Sequence, residues 1–104
     1  MNDEATAVLA EIFKLMGDPT RLRIVLACLD EPAAVSDIAA RLELSQSLVS
    51  HHLRLLRAAR LVLAERKGKQ VFYSAADEHI RSVIKDMLEH VAESHGSASD
   101  HEGQ

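Results

Sequence analysis

Four residues near the end of the chain carry the donor atoms that a divalent metal ion selects: Asp77-x-His79, then His90-x-x-Glu93. Carboxylate oxygen and imidazole nitrogen suit zinc and its first-row neighbours. If the stretch is helical, each residue adds about 100° and 1.5 Å. His79 and His90 then lie on nearly one face, roughly 20° apart, but about 16 Å apart along the axis. One ion does not reach both. His90 and Glu93 stand on adjacent turns and can share an ion. Asp77 and His79 converge only where Asp77 sits at the capping start, because two helical steps splay them. Each end therefore offers half a site. An antiparallel copy of the same helix brings the first pair of one subunit to the second pair of the other, which predicts a homodimer with two symmetry-related sites. Taken singly, Asp77 is a helix cap and Glu93 a solvated helix-end charge. Their spacing is what makes them candidate ligands.

The elements that must position these residues follow from periodicity and punctuation. Ala5 to Met16 predicts a first helix, with Val8, Leu9, Ile12, Phe13 and Met16 on one stripe. Gly17 stops it, and Asp18-Pro19 opens a second helix as N-cap and first helical residue. Leu22, Val25, Leu26 and Leu29 form its buried face. A short third helix runs from about Val35 or Ser36 to Leu42. After the turn Glu43-Leu44-Ser45, Ser45 caps a fourth helix from Gln46 to about Ala59, with Leu48, Val49, Leu53, Leu55 and Leu56 expected on the core side. The period then shortens: Leu61 to Arg66 and Gln70 to Ser74 predict two strands around Lys67-Gly68-Lys69, a β-hairpin with a charged tip. Asp77 to about Ser94 is the final helix, with Ile80, Val83, Ile84, Met87, Leu88 and Val91 on a stripe broad enough for its own domain and a partner. The fold class is therefore mainly α with a β-hairpin wing, a winged helix-turn-helix that dimerises through its first and last helices. Residues 1–94 are expected as one winged helix-turn-helix domain that also carries the dimer contacts. Residues 95–104 lack periodicity and are expected as a flexible C-terminal tail.

Composition narrows the function. A chain of 104 residues makes one small domain with a modest core, helped by burial in a dimer. Hydrophobic content of 47% with only 3% aromatic suits a helical core of Leu, Ile, Val and Ala. No apolar run approaches membrane-spanning length, and the acidic start Met1-Asn2-Asp3-Glu4 has no signal-peptide pattern. A single cysteine, Cys28, forms no internal disulfide, suits a reducing cytoplasm, and sits in an apolar run as a core thiol. The histidines lack an evident nucleophile with a pre-formed pocket, so an enzyme is not expected.

Net charge is −4, yet its distribution favours nucleic acid. Residues 1–44 hold four bases against eight acids, residues 45–73 six against one, and residues 74–104 two against seven. Phosphate contact needs a local positive face, not a basic whole. In a winged helix-turn-helix the second helix of the motif enters the major groove. There Ser45, Gln46, Ser47, Ser50 and His51 offer polar groups for base edges. Arg54 and Arg57 are placed for phosphates, and Arg66, Lys67 and Lys69 of the wing for backbone or minor groove. The expected partner is double-stranded DNA.

With these elements in place, Gly17-Asp18-Pro19-Thr20-Arg21-Leu22-Arg23-Ile24 resembles the second-helix entrance of the ArsR/SmtB family of metal-sensing bacterial repressors. Val35 to Ala39 and Leu44 to Leu53 resemble its helix-turn-helix. Leu61-Val62 with Gly68, Val71, Phe72 and Tyr73 resembles its wing. The similarity covers roughly residues 8–94. It implies a homodimeric repressor that binds an inverted-repeat operator and leaves it when metal binds. One family site uses cysteines in the helix-turn-helix stretch; here Ala34 and Ser36 stand at those places, so thiolate sensing is not implied. The other site lies on the last helices, and Asp77, His79, His90 and Glu93 match its zinc-sensing form.

Four oxygen and nitrogen donors favour tetrahedral Zn2+, or cobalt in the same cage. His95 and His101 lie just beyond. Nickel and cobalt sensors of the family recruit such tail ligands, so Ni2+ or Co2+ is the alternative, and a winged-helix repressor with a non-metal effector is a further one. His90 is also the expected relay, its second ring nitrogen donating to a carbonyl of the fourth helix.

Overall fold

The computed structural model describes residues 2–102, with side chains through His95. Its elements follow the caps. Helix α1 (Asp3–Met16) begins at Asn2, whose side chain accepts a hydrogen bond from the Ala5 amide, and ends at Gly17. Helix α2 (Pro19–Ala27) starts on Asp18, whose Oδ2 accepts from the Arg21 amide at 3.0 Å. Proline at the first helical position suits that start, because its missing amide hydrogen has no helical partner to lose. Helix α2 stops at Ala27, short of the Leu29 expected on its buried face, with Cys28 as its C-cap.

The helix-turn-helix is α3 (Val35–Leu42) and α4 (Gln46–Ala58). Both helices end by the same device. Glu43 and Arg60 adopt left-handed φ angles of 58° and 62°. The amides of Leu44 and Leu61 reach back to the carbonyls of Ala39 and Leu56 at 3.0 and 2.9 Å. These bonds satisfy carbonyls that a helix end leaves orphaned. Ser45 Oγ then accepts from the Leu48 amide at 3.0 Å and opens α4.

Strands β2 (Val62–Lys67) and β3 (Gln70–Ala75) form the wing, paired antiparallel with Lys67 opposite Gln70. Their two-residue loop places Gly68 first, at φ 64°, where such a hairpin turn needs glycine. A third strand was not foreseen: β1 (Ala33–Ala34) pairs with Tyr73 and Phe72, so the sheet order is β1-β3-β2. Two alanines after Pro32 carry no alternation from which to read a strand. The pairing roots the wing beside the first helix of the motif.

Helix α5 runs Glu78–Glu102. The helix expected to end near Ser94 thus continues through most of the stretch 95–104 expected as a flexible tail. Extending an existing helix avoids a new nucleation step, and no proline interrupts it. Residues 103 and 104, and the side chain of His101, lie outside the described residues.

The core joins Ile24, Val25, Cys28 and Leu29 of the α2 region to Ile38 of α3, Val49, Leu53 and Leu56 of α4, and Leu61 and Val62 at the wing's root. Burying each large aliphatic side chain stabilises by about 1.5–3 kcal/mol. The core face of α4 differs from expectation. Leu48 and Leu55 are 38% and 36% exposed, and the buried set is Val49, His52, Leu53 and Leu56. That set has the i, i+3, i+4, i+7 spacing of one helical face. His52 joins the buried face, and Leu48 and Leu55, expected there, lie outside it. Among the described residues, no helix is long and apolar enough to cross a membrane.

Candidate nucleic-acid interface and metal half-sites

The buried face of α4 determines which side chains it can present. Ser47, Ser50, His51 and Arg54 fall within about 100° of one another on the side opposite Val49, His52, Leu53 and Leu56. Ser47, His51 and Arg54 are exposed and Ser50 half-buried; Gln46 and Arg57 flank them, both exposed. Ser45 is exposed as well, with its oxygen engaged in the cap. On the wing Arg66, Lys67 and Lys69 are all exposed, and Lys67 Nζ lies 5.8 Å from the centre of the Phe72 ring. Short polar groups thus crown the start of α4, and cations lie along its length and at the wing tip. This is the division expected of base contact and phosphate contact.

Beneath this face is a polar pair that sequence reasoning missed. Arg21 Nε of α2 donates to His52 Nδ1 at 3.2 Å, and Arg21 Nη1 donates to the Leu15 carbonyl at 3.4 Å. His51 packs edge-on against His52, with ring centres 5.3 Å apart. The pair ties the α1–α2 junction to the back of α4. Burial, then the neighbouring Arg21 charge, hold His52 below the usual histidine range, Asp18 opposing and His51 adding to the shift. The neutral ring is therefore the folded form, and it accepts the arginine's hydrogen bond. The unfolded chain takes up this proton at higher pH than the folded one, so stability is held above the ordinary histidine pKa and lost as pH falls below it. Thermal melts between pH 7 and pH 5 should show a steeper acid loss for the wild type than for His52→Gln. Parallel curves would remove His52 from the account.

At the other end of the molecule, Asp77 caps α5: its Oδ1 accepts from the Ile80 amide at 2.9 Å. Asp77 therefore stands at the non-helical start, the position from which it can converge with His79. Asp77, His79, His90 and Glu93 are all exposed. Among the described residues, no three His, Cys, Asp or Glu side chains gather within one chain at a place able to hold an ion. Two of the four donors lie at the helix start, and two lie about three turns on. On a continuous helix His95 is turned about 140° from His90, which places it away from the His90–Glu93 pair. His90 is exposed on α5, and the polar ties between α5 and the rest of the domain come instead from Arg81 and Lys85.

Cys28 is fully buried and its thiol is pushed up to about 11, first by burial, against the opposing pull of a backbone hydrogen bond and Arg41. It is an inert core group.

Two helix faces carry exposed apolar side chains. On α1 they are Val8, Leu9 and Phe13; on α5 they are Val83, Met87, Leu88 and Val91. Ile80 and Ile84, earlier on α5, pack partly against the domain's own core. The α5 donors border this apolar stripe on one side.

The chain matches the family model described as bacterial regulatory protein, arsR family, over residues 18–63. It is 42% identical over 86 residues to a transcriptional repressor SmtB homolog of Synechocystis sp., covering 83% of this chain and 65% of that one. The chain therefore spans just under two thirds of that relative's length. It is 32% identical over 100 residues to the HTH-type transcriptional regulator NmtR of Mycobacterium tuberculosis, covering 96% of this chain and 83% of the relative. Among solved structures it resembles the homodimeric winged helix-turn-helix DNA-binding domain of Mb0332 from Mycobacterium bovis. That match has a TM-score of 0.78 and 26% identity, and covers 91% of this chain and 90% of the other.

Proposed function

The chain belongs to the arsR family of bacterial regulatory proteins, and on that footing we propose that it is a metal-responsive transcriptional repressor, bound to operator DNA as an apo homodimer and released when zinc occupies a site shared between the α5 helices. The observation that carries this reading is the placement of Asp77 with His79 at the start of α5, and of His90 with Glu93 about three turns on, beside an uncovered apolar stripe.

Antiparallel packing of two α5 stripes, joined by α1, covers Val8, Leu9, Phe13, Val83, Met87, Leu88 and Val91 on both protomers. At about 1.5–3 kcal/mol for each fully buried large apolar side chain, this burial meets the roughly 4–15 kcal/mol cost of association. The same packing brings Asp77 and His79 of one protomer towards His90 and Glu93 of the partner subunit. The two carboxylates and two imidazoles of Asp77, His79, His90 and Glu93 would hold a zinc ion there, a donor set that suits it, and the bound ion would tie the two helices together. The turning of His95 away from His90 favours this four-donor set over one enlarged with His95 for nickel or cobalt.

The two α4 helices read successive major grooves when their separation matches one helical turn of DNA, about 34–36 Å. Both reading heads hang on the dimer formed by α1 and α5, so the angle between the α5 helices sets their spacing. Fixing that angle in a poorly matched geometry costs operator affinity. Couplings of this kind are typically ~1–3 kcal/mol, about 5- to 150-fold.

The test is binding to a DNA fragment carrying the protein's own promoter, at fixed salt, titrated with zinc, nickel and cobalt. Release by zinc near one equivalent per protomer is expected. A response confined to nickel or cobalt reassigns the metal. Tight binding indifferent to all three discards the metal sensor and keeps the repressor.

A further inference from the structure

The polar ties of α5 converge on one point, the C-terminal end of α2. Arg81 Nε donates to the Leu29 carbonyl at 3.0 Å, and its Nη1 pairs with Glu78 at 2.9 Å. Lys85 Nζ lies 3.2 Å from Asp30 Oδ1. Leu29 and Asp30 directly follow the C-cap of α2. The helix-turn-helix holds the same end from its own side: Arg41 of α3 donates to the Ala27 carbonyl, and Arg23 of α2 returns a bond to the Leu42 carbonyl, each at 3.3 Å. The last carbonyls of a helix lack intrahelical partners. Here Arg41 of the reading head supplies the partner for the Ala27 carbonyl, and Arg81 of α5 holds the Leu29 carbonyl two residues beyond it.

The two ties from α5 are unequal. Lys85 and Asp30 are 49% and 72% exposed, and an ion pair of that kind contributes little. Arg81 is only 30% exposed on its side chain, and its acceptor belongs to Leu29, which is 3% exposed. A charged donor on a sheltered carbonyl is strong and directional. The contacts of Ile80 and Ile84 with the core tolerate sliding, but a guanidinium bonded to one carbonyl does not.

Arg81 also stands one turn past Asp77, its amide donating to the Asp77 carbonyl at 3.2 Å, and two residues past His79. Resting on the α5 metal reading above, we propose that Arg81 is the positioning residue that passes the state of the Asp77/His79 half-site to the reading head, through Leu29, the end of α2 and Arg41. A change in the pose of the first turn of α5 then moves the end of α2, and α3 with it, with no hydrogen bond from α5 to α4 among the described residues.

The experiment measures promoter-fragment affinity with and without zinc for wild type, Arg81→Met and Arg81→Lys. Zinc affinity is measured separately by chelator competition. Arg81→Met keeps the aliphatic stem and removes the donor; Arg81→Lys can still donate to Leu29. The wild type is expected to lose about 10- to 100-fold of DNA affinity on zinc binding. In Arg81→Met that factor falls below about threefold, while apo DNA affinity and zinc affinity change by less than about threefold. Arg81→Lys recovers an intermediate response. A readout without DNA accompanies it: zinc alters amide exchange of Cys28 and Leu29 in the wild type and not in Arg81→Met. Zinc-driven release of wild-type size in Arg81→Met overturns the relay and leaves the sensor standing. A wild type that ignores zinc overturns the sensor, and the relay with it. Should Arg81→Met fail to fold, Arg81→Lys decides: a response equal to that of the wild type, with unchanged exchange at Leu29 on zinc binding, also overturns the relay.

Discussion

A hybrid dimer built from two zinc-blind variants should bind one zinc ion. One variant carries Asp77→Asn and His79→Ala, the other His90→Ala and Glu93→Ala. Each homodimer lacks one half of both sites, so neither binds zinc tightly. In the hybrid, one site collects all four intact donors and the other none. If a structural zinc site is worth about 10–16 kcal/mol, each of four donors carries roughly 3 kcal/mol, and losing two weakens binding about 10⁴-fold. The wild-type dimer should therefore bind two ions tightly, the hybrid one, and each variant homodimer none. Asparagine is chosen at position 77 because it can still cap α5, which keeps the roughly 1 kcal/mol of the cap out of the comparison. All four residues are exposed and stand outside α4 and the wing, so apo operator binding is expected within about threefold of wild type. Zinc titrations on affinity-purified hybrids would settle the matter: a hybrid with no tight site would place all ligands of an ion within one chain and sink the shared site.

The elements that such a dimer uses were legible where the chain punctuates itself. Asp18-Pro19 and Ser45 announce helix starts by chemistry that acts within three residues, and the caps form as expected. Gly68 likewise sets the wing tip locally. What escaped depends on partners remote in sequence. Strand β1 is two residues long and exists only because Tyr73 and Phe72 of β3 accept it. His52 lies on the core face of α4 because Arg21, 31 residues earlier, satisfies its ring nitrogen. A reading by hydrophobic count assigns that face to Leu48 and Leu55 instead. The same limit hid the link from Arg81 to Leu29, which spans 52 residues. The candidate metal donors are proposed from residue types and spacing, since helical geometry alone divides them into two pairs. Where α5 ends was not legible: Gly96 and the serines beyond Ser94 are poor helix formers, but a running helix propagates through them.

Placing a glutamate on the uncovered apolar stripe should abolish both activities at once. Phe13 is 65% exposed in the single chain and Met87 58%, and neither belongs to the domain's core cluster. Phe13→Glu or Met87→Glu should therefore leave the monomer folded, with an unchanged helical circular dichroism spectrum. In a two-fold dimer each substitution occurs twice, and each buried, unpaired carboxylate costs several kcal/mol. Light scattering should show a monomer at micromolar concentration. Operator affinity should fall by about 10²- to 10⁴-fold, because one reading head no longer brings the second to its half-site. Tight zinc binding should vanish in the same sample although every ligand is intact, because each monomer holds only half-sites. The two losses together are the informative outcome. A monomer that kept tight zinc binding would contradict the division of donors along α5. A monomer that kept operator affinity would contradict the paired reading heads. The helix that carries the metal donors would then be separable from the one that builds the dimer, whereas the reading argued from α5 requires them to be the same surface.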